Sequence, residues 1–437
     1  MNTPLPAKKP LYGCLLFSLL LFSTLALNAV SAKAEQALTL TEAIALATEN
    51  QPLLQSLDDA AASSRQSAIA EAQLPDPKIK FGVINLPVTN RNALRFDRED
   101  MTMINVGIAQ DVIPLKKRQI ASNMLEAEAD QFHTEQIATA RSIERDVAMA
   151  WLDVFEAQRK SELYQKITEE FAAERSVLIS RMSSGGAQAS EVLQLENQLS
   201  MTNDKGFVAK RDERKARANL SRWIGAASLR SISDELPVMS NHLTNTSNPD
   251  TFSVAIEEHP LLQNAHQTEK VAQFDVDKAQ ANLQQNWGWE VGYGKRFSDR
   301  SDMLTFQVSI DLQLDRANRQ DRRTAEKLVL VERARKLTED KRRELTAELE
   351  SALADAQAAD ARENEHQSRL IPNAAARLSV AQAGYMAGKK SLSEVWEARR
   401  SLLEVELDHW AILTDRQRAA VKIDYLLNDN RLSKEKQ

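Results

Sequence analysis

The stretch LKKRQIASNMLEAEADQFHTEQIATARSIERDVAMAWLDVFEAQRKSELYQKITEEFAAERSVLISRMSS, Leu115 to Ser184, runs 70 residues without a glycine or a proline. Nothing in it punctuates a helix, and Gly185-Gly186 ends it abruptly before a second helical run. At about 1.5 Å per residue such a helix is a rod of roughly 105 Å, far beyond the roughly 11–12 residues of an average globular helix. Its apolar residues are periodic. Ile143, Ala150, Ala157, Tyr164, Phe171 and Leu178 recur every seven residues, with Val147 and Val154 between them. That is the 3–4 spacing of a helix-packing seam. The seam weakens at Ser161 and Thr168, which predicts helix-on-helix packing with gaps.

Composition agrees with a molecule of rods. Only 12 of 437 residues are glycine, under half of the usual share of about 7%. Charged residues make up 27% and aromatics 5%, and the net charge of −6 comes from mixed signs along the helices. No basic stripe for nucleic acid and no polybasic membrane patch is present.

Toward the N-terminus, Thr41 is a candidate cap for an apolar periodicity from Ile44 to about Gln73, with Pro52 ending a short first helix. Leu74-Pro75-Asp76-Pro77 stops the helix, and the period then changes. Ile79, Phe81 and Val83 alternate with Lys80 and Gly82, and Ile104, Val106 and Ile108 with Asn105, Gly107 and Ala109. This predicts strands at about 78–88 and 101–111. Residues 1–34 read as a signal peptide: Lys8 and Lys9, an apolar run from Leu11 to Val30, then the small-x-small site Ala32-Lys33-Ala34. A retained anchor is the alternative. Cleavage after Ala34 removes Cys14, the one cysteine, so no disulfide or thiol chemistry is expected in an exported chain.

Toward the C-terminus, a helix is expected over about 187–224, then a linker over 226–251, and then the pattern starts again. Glu49-Asn50-Gln51-Pro52-Leu53-Leu54-Gln55 returns as Glu257-Glu258-His259-Pro260-Leu261-Leu262-Gln263. Alternation returns at Trp289, Val291 and Tyr293 and at Phe306, Val308, Ile310 and Leu312, predicting strands at about 287–297 and 303–313. A glycine-free run from Lys295 to Ala383 follows, and Gly384 to Gly388 precedes Ser393-Glu394-Val395 as Gly185-Gly186 precedes Ser190-Glu191-Val192. Two structural repeats, 38–235 and 251–428, are expected.

Strands of about ten residues have the length of tilted membrane-spanning strands. Four cannot close a barrel and an open edge is not tolerated in lipid, but three chains pool twelve. The helices expected over about 41–73 and 187–224 sum to nearly the length of the rod, which predicts a helical wall roughly 100 Å deep below a strand layer.

From about Leu38 to Asn428 this order resembles the TolC-type outer-membrane efflux proteins. The carrying features are the paired Pro-Leu-Leu-Gln segments, the two strand pairs and the two glycine turns before Ser-Glu-Val. Leu74-Pro75-Asp76-Pro77 with Asn85-Leu86-Pro87-Val88 looks most like the branch working with heavy-metal pumps. The resemblance implies a mainly α fold with a small β part: a periplasmic α-barrel of long coiled-coil-like hairpins below a trimeric, twelve-stranded β-barrel in the outer membrane. It implies a passive conduit serving a periplasmic adaptor and an inner-membrane pump, of the RND type in that branch. It also places Gly185, Gly186, Glu191, Gly384, Gly388 and Glu394 at periplasmic tips that touch the adaptor. Arg181, Arg399 and Arg400 are candidate partners of the two glutamates in pairs that hold the tip shut.

No catalytic machinery is legible. His133, His242, His259, His266, His366 and His409 lack ligand spacing. Met101 and Met103 are the only residues with a case for touching a soft ion, and methionines flanking a strand more often fill space. The expectation is no enzyme, no cofactor and no built-in metal site. Rival readings are a multidrug or protein-secretion (type I) conduit of the same fold, a soluble periplasmic coiled-coil protein, which leaves four strands without purpose, and an adaptor, which needs glycine-rich β domains around a single hairpin.

Overall fold

The computed structural model describes residues 37–49, 51–237 and 249–427. The expected signal peptide and its cleavage site lie outside the described residues, as does the middle of the expected linker. In chain order the elements are α1 (Leu40–Thr48), α2 (Pro52–Glu71), β1 (Lys78–Ile84), β2 (Met103–Val112), α3 (Leu115–Ser183) and α4 (Ala189–Ile224). They continue with α5 (Pro249–Glu257), α6 (Pro260–Ala281), β3 (Trp287–Arg296), β4 (Met303–Ile310), α7 (Gln320–Glu365), α8 (Ile371–Met386) and α9 (Leu392–Leu426). A short helix, a Pro-started helix, a hairpin, a rod and a return helix thus appear in each half.

The rod α3 is one helix of 69 residues. Ile143, Val147, Ala150, Val154, Tyr164, Phe171 and Leu178 are all buried along it, and the seam continues through a buried Ser161. Its flanks follow from chain reversal. α2 runs beside the start of the rod, where the Arg118 guanidinium donates to the Ala72 carbonyl. α4 returns along the rod's end. α6 lies antiparallel on the other flank, with Gln267 Nε2 donating to Ala127 O at 3.0 Å and Thr134 Oγ1 to Asn264 Oδ1 at 3.1 Å. α9 runs antiparallel to the lower rod, tied by Arg418 to Asp153 (2.7 Å) and Glu156 (2.8 Å) and by Arg399 to Glu174 (2.9 Å). α7 lies against α6 and α9. The two short helices α2 and α4 therefore cover the long one in succession.

At mid-height α1 packs Leu40 and Ile44 against Trp151 and Phe155. Trp151 Nε1 donates to Leu38 O at 3.1 Å. The first cap is Thr39, whose Oγ1 accepts from Glu42 N, so the helix begins ahead of the expected cap Thr41. The expected linker opens with an ordered 3-10 turn, Gly225–Leu229, after which Ile232 bridges in parallel to Leu38. Prolines 52 and 260 each occupy the first turn of a helix, where a missing N–H costs nothing.

The second rod is interrupted. Between α7 and α8 the chain widens into a π-turn, His366–Leu370. Pro372 follows at the start of α8. Its ring has no N–H and crowds the preceding turn, and one wider turn accommodates both defects. No helix among the described residues is long and apolar enough to cross a membrane.

Candidate functional site

Two regions carry features beyond helix packing: the sheet at one end of the wall and the turns at the other. The sheet has four antiparallel strands in the order β1-β2-β3-β4. β1 ends at Ile84 because Asn85 adopts φ +56, and Thr102 Oγ1 donates to Asn85 O at 2.8 Å to start the loop. Directly opposed residues point to the same face, so the register sorts every side chain. One row is Ile79, Ile108, Val291 and Phe306, and the next is Phe81, Val106, Tyr293 and Leu304. Val112, Trp287 and Ile310 continue that face. Ile79 is 80% exposed, Phe81 79%, Leu304 75% and Phe306 69%. The same alternation visible in the sequence lies wholly on one side.

The opposite face is polar and small. Its rows are Lys78, Ala109, Glu290 and Gln307, then Lys80, Gly107, Gly292 and Thr305, then Gly82, Asn105, Gly294 and Met303. Lys78 pairs with Asp111 at 2.6 Å, and Lys80 pairs with Glu290. The glycines make room for close approach: a Cβ on Gly107 would lie 2.9 Å from Val291 O, and one on Gly292 2.9 Å from Asn105 Oδ1. Asn105 and Met103 are buried on this side, with Met103 packed over Gly294, whereas Met101 is exposed. The two methionines are therefore apart, and Met103 fills space.

A tilted ten-residue strand such as β2 or β3 spans roughly 25 Å, the height of the apolar band of a membrane barrel. Trp287 and Trp289 stand at the helix end of that band, and Phe96 meets Phe297 edge-on at 5.9 Å at the other, the positions of aromatic girdles. There the Arg300 guanidinium clasps the long β1–β2 connection through Asp100 (2.8 Å) and the Asp97 carbonyl (3.3 Å).

At the far end, α3 turns into α4 through Gly185 at φ +78, and α8 into α9 through Gly388 at φ +69. These left-handed positions suit glycine. Gly384 is helical, and a Cβ there would meet the Lys390 side chain at 2.8 Å. Both return helices start with a capping box: Glu191 accepts from Gln188 N at 3.0 Å, and Glu394 from Ser391 N at 2.8 Å. Neither glutamate meets Arg181, Arg399 or Arg400, which corrects the expected pairing within one protomer. Both carboxylates are committed to backbone N–H groups of their own turns. Glu394 is accordingly held below the usual carboxylate range, chiefly by Ser391 N–H and also by the nearby Lys390.

The arginines instead join the two hairpins. Arg181 donates to Tyr385 Oη at 3.3 Å, lies 5.7 Å from its ring and also donates to Gly186 O at 3.2 Å. Arg399 pairs with Glu174 at 2.9 Å and sits 5.5 Å from the Phe171 ring. Arg400 is exposed beside them. The sequence missed Tyr385 and Glu174 because their proximity to the arginines depends on how the hairpins pack. Among the described residues, no group of three or more His, Cys, Asp or Glu side chains is placed to hold a metal ion.

Comparison with known proteins agrees with this geometry. Residues 251–429 match the family model described as "Outer membrane efflux protein". No curated protein sequence matches the chain. Its fold is that of several solved channels. A CusC structure described in terms of transmembrane channel formation aligns with TM-score 0.72 at 16% identity, covering 89% of this chain and 91% of that one. The outer membrane protein VceC from Vibrio cholerae gives 0.71 at 16%, covering 89% and 95%. The CmeC outer membrane channel of Campylobacter jejuni gives 0.74 at 11%, covering 90% and 89%.

Proposed function

We propose that three copies of this chain form a passive conduit whose pooled strands close a twelve-stranded barrel in the bacterial outer membrane. The helical walls continue it into the periplasm, and the chain performs no catalysis. The single observation that carries this reading is the four-stranded sheet with one apolar face, one polar face and two unpaired edges. In water that face is an aggregation hazard and the edges are sticky. In lipid the face is satisfied, and the edges are satisfied only by closure. A soluble coiled-coil protein has no use for either feature.

The energy and the choice of cargo belong to an inner-membrane pump, proposed to be of the RND type, reached through a periplasmic adaptor at the tips around Gly185, Gly186, Glu191, Gly384, Gly388 and Glu394. Heavy-metal cations are the proposed cargo, on the strength of the Leu74-Pro75-Asp76-Pro77 and Asn85-Leu86-Pro87-Val88 segments. A multidrug or protein-secretion role is the second reading. What favours it is the even charge of the sheet's polar face, where Lys78 and Lys80 are matched by Asp111 and Glu290.

Growth of a deletion strain across metal ions, dyes, detergents and antibiotics, with a complemented control, tests the assignment. Sensitivity confined to copper, zinc, cobalt or cadmium supports metal export. Sensitivity to dyes and drugs keeps the conduit and moves its cargo. If the strain tolerates the whole panel but its secreted proteome is altered, the conduit serves protein secretion.

A further inference from the structure

Where the sheet meets the helical wall, a recess of about 890 Å³ lies between the end of α6, the start of α7 and the strand ends. Its side of the wall follows from register. Asp311 N donates to Asn286 O at 3.3 Å, one step beyond the Trp287–Ile310 pair. Asn286 and Asp311 therefore share the parity of Gly288 and Ser309, the polar face. Gln284 and Gln313, just beyond the ends of the two strands, also line the recess. The recess opens on the polar side, which on the conduit reading is the lumen.

Its charge is unbalanced. Lys117, Lys278, Arg319, Arg323 and Lys327 line it, against Asp275, Asp311 and Glu326. One of these acids is already matched, since Lys327 pairs with Asp275 at 3.0 Å. Lys117 is buried and its ammonium donates to Asn286 Oδ1 at 2.8 Å. Burial pulls its pKa down and the neighbouring Asp311 carboxylate holds it up, so these two charges offset each other and the excess rests on Lys278, Arg319 and Arg323. Arg319 and Arg323 stand at the first turns of α7, where the positive end of a long helix adds to the field. The scattered carboxylates form no metal-holding group, and the guanidinium fork matches oxyanions in a way that a lysine ammonium does not.

We propose that this recess binds multivalent oxyanion groups, such as phosphate, sulfate or clustered carboxylates, carried on solutes in the lumen. It makes the junction of sheet and helices an anion-preferring station, repeated three times around the axis. The lumenal placement and the effect on transport rest on the conduit reading. The binding chemistry rests on the recess itself.

The test uses the full-length protein purified in detergent, with inorganic pyrophosphate as probe in calorimetry at about 0.01 M ionic strength, where the Debye length is about 30 Å. The Arg319→Gln/Arg323→Gln double variant removes two exposed charges and leaves packing intact. Arg322→Gln, an exposed neighbour outside the recess lining, is the control. The expected result is pyrophosphate binding by the wild type and the control, weakened on the order of tenfold or more in the double variant. In planar bilayers under a KCl gradient, the reversal potential of the double variant shifts toward cation preference. Equal pyrophosphate affinity in the double variant and the control, or no binding by the wild type, overturns the proposal. If the wild type forms no conducting pore, the conduit reading fails while calorimetry still decides the recess.

Discussion

His259 shows how a residue type associated with chemistry can serve packing instead. It caps α6, its Nδ1 accepting from Leu261 N at 3.2 Å, and its ring meets Tyr425 edge-on at 4.9 Å. Burial pushes its pKa down to about 4; the Tyr425 backbone pulls it upward, and the charges of Arg141 and Arg145 push it further down. The unfolded chain, at the ordinary value near 6.5, takes up this proton first. Stability is therefore full above about pH 6.5, falls as the pH drops toward 4 and levels off below. Denaturant midpoints measured between pH 7.5 and 4.5 should show that slope, and His259→Asn, which keeps a capping side chain, should flatten it. At the tips, Arg399→Gln removes a half-buried tie between the hairpins, at a cost of about 1–2 kcal/mol, and should raise single-channel conductance. Unchanged conductance would separate the Arg399–Glu174 contact from closure and leave it a packing feature.

Among the elements, the sheet makes the sharpest distinction because its two faces differ in kind. An arginine at Phe81 or Leu304 stands on the apolar face and should cost about 2–4 kcal/mol near mid-membrane. Gln307→Arg, on the polar face, should be tolerated. Recovery of folded protein from outer-membrane fractions measures both, and equal loss from either face would argue against membrane insertion in this orientation. Gly107→Val tests the closeness of β2 and β3. With 2.9 Å between a Cβ and Val291 O, the strands must part, at a cost of about 1–3 kcal/mol, read as a lower temperature of strand-signal loss. Much of this was legible in advance: Ile79, Phe81, Val106, Phe306 and Val308 alternate with polar or small neighbours, and period two leaves them no choice but a common side. The π-turn before Pro372 was not legible, because a proline inside a helical pattern is compatible with a stop, a kink or a wider turn, and packing against α9 selects among them.

For the whole molecule, β1 and β4 are the unpaired edges of the sheet, and on the proposed conduit reading they leave the protomer incomplete. With Cys14 the one cysteine in the sequence, engineered thiols report cleanly. Lys80→Cys combined in turn with Thr305→Cys, Gln307→Cys or Ser309→Cys should give disulfide-linked trimers at one or two positions where the edges of neighbouring copies meet. A protein that stays monomeric through the scan would break the closure argument. The sequence informs the proposed assembly only by arithmetic, since four strands are too few and three times four is a known sufficiency.

What the sequence determined by itself is whatever depends on local period and punctuation. Seventy residues without a breaker make a rod, alternation makes strands, and Gly185 and Gly388 make reversals, because backbone conformational limits act within a few residues. Tertiary structure alone decided what depends on separations of tens to hundreds of residues. It gave Arg181 to Tyr385 and Arg399 to Glu174, and gathered Lys117, Lys278 and Arg323 around one recess. Charged side chains reach only several ångströms, so their partners are fixed by which helices lie side by side, and that choice is made by the buried apolar seams.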